Sequence, residues 1–144
     1  MYSYMLFPKK AKYRKWQRAR KNPLKRIRPE TRGVTVDFGS YGLKAMSPGR
    51  VRSNQLEAAR KTMARVVSKT GKIWTRVFPD RPYTQKGAEV PMGKGKGDVQ
   101  GYEFEVSPGR ILFEVDGVTA AVASEALRKA GAKLPLKTKI VTRI

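Results

Sequence analysis

Apolar residues recur at two different spacings along this chain, and the switches between them mark out its elements. VTVDF, 34–38, alternates apolar and polar side chains, and GLKAM, 42–46, resumes after the link GSYG, which predicts two short strands. SPGR, 47–50, predicts a turn, because proline presets φ at one central position and glycine accepts a positive φ at the next. The spacing then lengthens. Leu56, Ala59, Met63, Val66 and Val67 fall on one side of a helix, Asn54 and Glu57 resemble a capping box at its start, and Gly71 supplies a stop. KIWTRVF, 72–78, reads as a strand through the middle of a sheet, closed by PDRP.

Residues 79–98 contain Pro79, Pro82, Pro91 and four glycines, which predicts a long connection, and long connections in compact domains are usually functional or mobile. VQGYEFEV and RILFEV flank a second SPGR, 107–110, and predict a hairpin with Tyr102, Phe104 and Val106 on one face and Glu103 and Glu105 on the other. The repeated SPGR suggests one turn used twice. Val122, Ala123, Ala126, Leu127 and Ala130 make the apolar face of a second helix ended by Gly131, and TKIVT closes the chain as a strand. The expected fold is α+β: an antiparallel or mixed sheet with two helices packed on it, plus a basic extended N-terminal arm and a long Gly/Lys loop. At 144 residues with 40 % hydrophobic content there is material for one core, so the expected division is an arm, 1–32, and a single domain, 33–144, from which a loop at about 79–98 projects.

Charge changes this picture most. Lysine and arginine number 32 against 11 acidic residues, a net charge of +21, and such self-repulsion is relieved by a polyanionic partner. Twelve of the cations and a single acid, Glu30, lie in residues 1–32. There Phe7, Tyr13 and Trp16 interleave with the cations, while Pro8, Pro23 and Pro29 forbid one continuous helix. Rings that can stack on bases make an idle solvated tail the weaker reading. From Asp98 to Leu127 the balance reverses, with Asp98, Glu103, Glu105, Glu114, Asp116 and Glu125 against Arg110, and this sector is expected to face away from nucleic acid. On the first helix Lys61, Arg65 and Lys69 follow one another a turn apart, a row that could track phosphates or simply be a solvated face.

The chemistry left open is narrow. Without cysteine there are no disulfides or thiolate metal sites, and without histidine the commonest metal ligand and proton shuttle are missing, so no cofactor and no metal are expected. No run approaches a membrane span, and Met1 to Phe7 is too short for a secretory core, so no membrane partner is expected. MGKGKGD, 92–98, lacks the GxxxxGK[ST] spacing of a nucleotide loop and precedes a strand pattern rather than a helix. Its glycines let the backbone approach another surface while Lys94 and Lys96 supply charge, which suits a loop that conforms to folded RNA. Two rivals remain: a magnesium-dependent nuclease using Asp37, Asp80, Glu89 or Asp98, and a general basic nucleic-acid binder.

MLFPKKAKYRKWQRARK, FGSYGLKAM, NQLEAARKTMAR, GKIWTRVFPDRP, MGKGKGDV, SPGRILFEVDGV and GAKLPLKTKIV, in that order, resemble the blocks of the bacterial-type large-subunit ribosomal protein L-sixteen family, over nearly everything from Met5 onward. The resemblance implies a structural constituent of the large subunit, cytoplasmic, a monomer within the ribosome. Its implied partners are large-subunit rRNA, A- and P-site tRNA and other large-subunit proteins, with a role in subunit assembly and translation. Carried residue by residue, the implied RNA-binding set is Lys9, Lys10, Lys12, Tyr13, Arg14, Lys15, Trp16, Arg18 and Arg20 in the arm and Arg81, Lys86, Lys94 and Lys96 in the loop; Lys61, Arg65 and Lys69 join the candidates from the helix row read above, not from the resemblance. Arg81 with Met92, Gly93, Lys94, Gly95 and Lys96 is the implied tRNA-proximal group. Four departures stand out: Met1 to Tyr4 precedes the usual start, Lys21 to Arg32 is a longer link, Thr75 replaces an aliphatic residue, and Pro91 stands where the family usually has arginine.

Overall fold

A computed structural model describes residues 6–17 and 28–144. Seven strands and two helices follow in the order β1 (Tyr41–Ala45), β2 (Gly49–Arg52), α1 (Ser53–Val67), β3 (Lys72–Thr75), β4 (Arg81–Gln85), β5 (Asp98–Val106), β6 (Ile111–Asp116), α2 (Ala120–Ala132) and β7 (Thr138–Thr142). The α+β expectation holds. The strands form two antiparallel sheets, one of four strands in the order β3-β6-β1-β7 and one of three in the order β2-β5-β4.

The two sheets correct the expected hairpin. β5 and β6 do not pair with each other: β5 lies between β2 and β4, β6 between β1 and β3, and the chain changes sheet at Ser107–Arg110. That stretch is a turn, with the Arg110 N–H donating to the Ser107 carbonyl at 3.3 Å and Gly109 at φ 101°. The first SPGR is different, since Gly49 already begins β2 opposite Val106 and has no positive φ. One sequence thus serves as a turn once and as a strand start once, because the flanking pairings differ. Backbone bonds from Ala45 N to Arg110 O (2.8 Å) and from Gly109 N to Ala45 O (2.7 Å) tie the two crossing points together.

The helices pack on each other and on the four-stranded sheet, with α1 also reaching β2 and β5. Leu56, Ala59, Met63 and Val67 of α1 and Ala123, Ala126, Leu127 and Ala130 of α2 are buried against Leu43, Leu112, Phe113 and Val115. This is the apolar stripe expected of each helix. The start of α1 differs from the expected capping box: the Gln55 side chain accepts from the Arg52 N–H at 2.9 Å, while Glu57 is buried and bonded to Arg60. Its end lies at Val67, where Ser68 at φ 57° donates its N–H to the Ala64 carbonyl, so Ser68 and not Gly71 turns the chain. Gly131 lies inside α2, which runs to Ala132.

VTVDF is not a strand. Its backbone is held by side chains: Glu114, wholly buried in β6, accepts from the N–H of Phe38 at 3.1 Å and of Gly39 at 3.5 Å, and Arg76 donates to the Thr35 carbonyl at 3.3 Å. Val36 nevertheless points inward and is buried. KIWTRVF supplies only the four residues of β3, an edge strand rather than a central one, and the half-buried Trp74 stacks on Phe38 with centroids 6.3 Å apart. Regular structure also shortens the long connection: β4 occupies 81–85, with Pro82 on a sheet edge as its missing N–H requires, so the irregular loop runs from 86 to 97.

Candidate nucleic-acid interface

Alternation in β5 sends Phe104 and Val106 into the core and leaves Glu103 and Glu105 on the other face of the three-stranded sheet. Period two does the same for the neighbours, placing Arg50 and Arg52 of β2 and Arg81 and Tyr83 of β4 on that face. The result is a polar, cation-rich surface in which each strand contributes. Arg50 pairs with Glu103 at 3.6 Å and Arg81 with Glu105 at 3.0 Å. The Arg52 guanidinium lies 4.6 Å from the Tyr83 ring centre.

The arm lies against this sheet and its loop. Leu6 packs on the core and the Phe7 ring tilts against Tyr102 at 5.7 Å. Further along, Arg14 approaches Asp98 at 4.0 Å, Lys15 Nζ donates to the Lys96 carbonyl at 3.3 Å, and Lys96 Nζ donates back to the Trp16 carbonyl. Arg81 closes the arrangement: its guanidinium donates to the Gln17 carbonyl at 3.0 Å and sits 5.8 Å from the Trp16 ring centre. Arm and loop, separate in sequence, are one surface.

The loop tip takes its shape from three consecutive residues with positive φ, Gly93 at 102°, Lys94 at 59° and Gly95 at 105°. The two glycines have nothing within 4 Å of where a Cβ would stand, so the requirement there is purely conformational. Lys86 reaches across to donate to the Gly93 carbonyl. Lys94, Lys96 and Met92 are exposed, Met92 fully.

Of the sequence-assigned residues, Lys9, Lys10, Lys12, Tyr13, Arg14 and Trp16 are exposed on the arm, and Lys15 is half-buried by its bond to the loop. Arg18 and Arg20 lie outside the described residues. Arg81 is drawn into the structure by Glu105 and Gln17, its side chain only 13 % exposed. Lys61 and Arg65 are exposed on α1 and Lys69 just beyond its end; among the described residues none of the three bonds to the arm or the loop. Sequence reading missed Arg50, Arg52 and Tyr83, although the alternation in GRVR and RPY could have placed them together.

The acidic residues do not gather on one face: Glu103, Glu105, Glu114 and Asp98 are the partners of Arg50, Arg81, Arg76 and Arg14. Of the nuclease candidates, Asp37 bonds Thr35 and Arg76, Asp98 meets Arg14, and Asp80 and Glu89 stand exposed in separate places. Among the described residues no three acidic side chains gather as a metal-holding group, and no helix is long and apolar enough to cross a membrane.

The family model described as ribosomal protein L16p/L10e matches residues 8–141. The large ribosomal subunit protein uL16 of Pseudothermotoga lettingae is 51 % identical over 140 residues, covering 96 % of this chain and 94 % of that protein. The chain belongs to the ribosomal protein L16p/L10e family.

Proposed function

We propose that this chain is a structural, non-catalytic constituent of the large ribosomal subunit that holds folded rRNA with the joint surface of its arm and β4–β5 loop. The observation that carries this reading is the reciprocal docking of Lys15 and Lys96, which gathers the cations of two distant segments onto one side of a sheet. Exposed lysines there neutralise phosphates by counterion release, while Tyr13 and Trp16 offer rings to unpaired bases. Backbone shape matters more than base identity on such a surface. The body, with its internally paired arginines, is the platform, and its remaining exposed faces are available to neighbouring large-subunit proteins, with one copy in each ribosome.

The positive-φ tip at Gly93–Gly95, with Met92 and Lys94 exposed beside it, is the part suited to lie near A- and P-site tRNA. Pro91 in place of arginine leaves Lys94 and Lys96 as the charges of this tip.

Two measurements test the reading. Affinity for a structured rRNA fragment should fall by about a thousandfold or more between 50 and 200 mM salt if about six to ten phosphates are contacted. A flat salt response sinks it. Replacing Lys94 by alanine should reduce crosslinking of the loop to tRNA while leaving co-sedimentation with the large subunit intact, and unchanged crosslinking would remove tRNA from the proposal.

A further inference from the structure

The outer face of the three-stranded sheet, where Trp16 of the arm closes over it, encloses a cleft of about 300 Å³. We propose that this cleft is a site for one unpaired RNA nucleotide, its base stacked among the Trp16 and Tyr83–Arg52 planes and its phosphate held by Arg52 and Lys96; this rests on the RNA-binding function proposed above.

Three observations point there. The first is size: the volume is at the lower limit of small-ligand sites, about 300–1,000 Å³, enough for a single nucleotide and closed to a duplex. The second is planarity held in place. Tyr83 packs closely on Gly101, where a Cβ would stand 2.9 Å from its hydroxyl and 3.0–3.1 Å from its ring carbons, and Arg52 covers it at 4.6 Å. Trp16 is fixed through the Arg81 contact yet keeps 38 % of its surface open. Two pinned ring systems line one cleft, and bases of any identity stack on such surfaces.

The third is charge arithmetic within the cleft. Arg50 is taken by Glu103, and Arg81 by Glu105 and the Gln17 carbonyl. Arg52 has no carboxylate within 4 Å among the described residues, and Lys96 uses one of its three donors on the Trp16 carbonyl. The unspent charge therefore lies with Arg52 and Lys96, while Thr84 and Gln85 offer donors and acceptors to a base edge. An acidic peptide would meet the same charge but would bring no planar group to the open part of Trp16 or to the outer plane of the Arg52 guanidinium.

The test uses the full chain and two RNA hairpins, one with a single bulged 2-aminopurine nucleotide and one fully paired. The chain should bind the bulged hairpin about tenfold more tightly, as one stacked base implies, with quenching of the 2-aminopurine. Tyr83→Ala and, separately, Arg52→Gln should bring the two hairpins to equal affinity, whatever general loss of RNA binding accompanies the missing cation. Arg52 is exposed, so its variant keeps the reading independent of any folding defect in Tyr83→Ala. Replacing Lys9, Lys10 and Lys12 by glutamine should weaken both hairpins and keep their ratio. Equal affinity for the two hairpins, or a preference that survives Arg52→Gln, overturns the nucleotide site while leaving general RNA binding in place. Failure to bind either hairpin overturns both. Loss of the preference to a polyglutamate competitor that spares paired-hairpin binding would assign the cleft to acidic protein instead.

Discussion

Glu114→Ala is the most informative perturbation of the body. The carboxylate is fully buried on β6 and makes three bonds: to Arg76 Nη1 at 2.8 Å, to the Phe38 N–H at 3.1 Å and, more weakly, to the Gly39 N–H at 3.5 Å. Loss of a bond to a charged partner costs about 1.5–3 kcal/mol, and each backbone N–H left behind adds roughly 1 kcal/mol. Arg76 keeps 17 % of its side chain exposed, so water recovers part of its hydration. The total comes to about 4 kcal/mol, within the range for removing one side of a buried ion pair.

Glu114→Gln separates charge from shape. Its amide oxygen still accepts from Phe38, but an NH₂ now faces the guanidinium, so about 2 kcal/mol should be lost. Urea unfolding followed by tryptophan fluorescence measures both, because Trp74 lies on the adjacent strand opposite Glu114. The pair Arg76→Met with Glu114→Leu should cost less than the sum of the single changes, since neither variant then buries a charge alone. A loss under about 0.5 kcal/mol for Glu114→Ala, the level of an ordinary surface substitution, would refute the assignment of this carboxylate as the anchor of residues 34–39.

Trp74→Ala should cost about 2 kcal/mol, below the roughly 3–5 typical of a fully buried ring, because β3 is an edge strand; a loss of about 3 kcal/mol or more in urea unfolding would put Trp74 in the core. The Asp116 carboxyl is held below its ordinary value by the Gly117 N–H and then by the Ser40 hydroxyl, so its contribution is present above pH 3.8 and lost as pH falls through the lower folded value. Ser40→Ala should raise the Asp116 titration midpoint in an NMR pH series, and no movement would dismiss that bond. Gly93→Ala with Gly95→Ala should leave the melting temperature unchanged yet weaken RNA binding about fivefold or more, because each places a Cβ where φ exceeds 100° and the tip must reshape; undiminished affinity would free the tip from the interface.

What could be read from sequence was whatever depends on neighbours along the chain. The stripes of α1 and α2, the TKIVT strand and the inward set Phe104 and Val106 are periodic, and period fixes which side is buried. Pairing partners are not periodic. VQGYEFEV and RILFEV looked like a hairpin because a turn joins them, yet Gly49–Arg52 competes for one edge of β5 and Tyr41–Lys44 for one edge of β6. VTVDF alternated as a strand should, but its last amide, that of Phe38, goes to the Glu114 carboxylate, a partner 76 residues away. The candidate site divided in the same way. Composition marked the arm and the glycine-lysine loop, whereas their mutual docking, and the part of Arg52 and Tyr83 in the cleft, needed the sheet.

The basic excess is itself divided by side-chain chemistry. Among the described residues, Arg50, Arg76, Arg81 and Arg110 keep a quarter or less of their side chains exposed and pair with Glu103, Glu114, Glu105 and Glu30. Their planar forks satisfy carboxylates and carbonyls together, and they lie over rings, as Arg76 does on Phe38 and Arg110 on Phe104. Lys9, Lys10, Lys12, Lys61, Lys69, Lys94 and Lys96 stay exposed as strongly hydrated point charges on flexible stems. A net charge of +21 therefore overstates the charge held in fixed geometry against RNA and understates how much of it holds the fold. Exchanging Arg76 or Arg81 for lysine would keep the net charge and loosen the platform, whereas exchanging Lys94 for arginine would keep the platform and alter only how the loop meets phosphate.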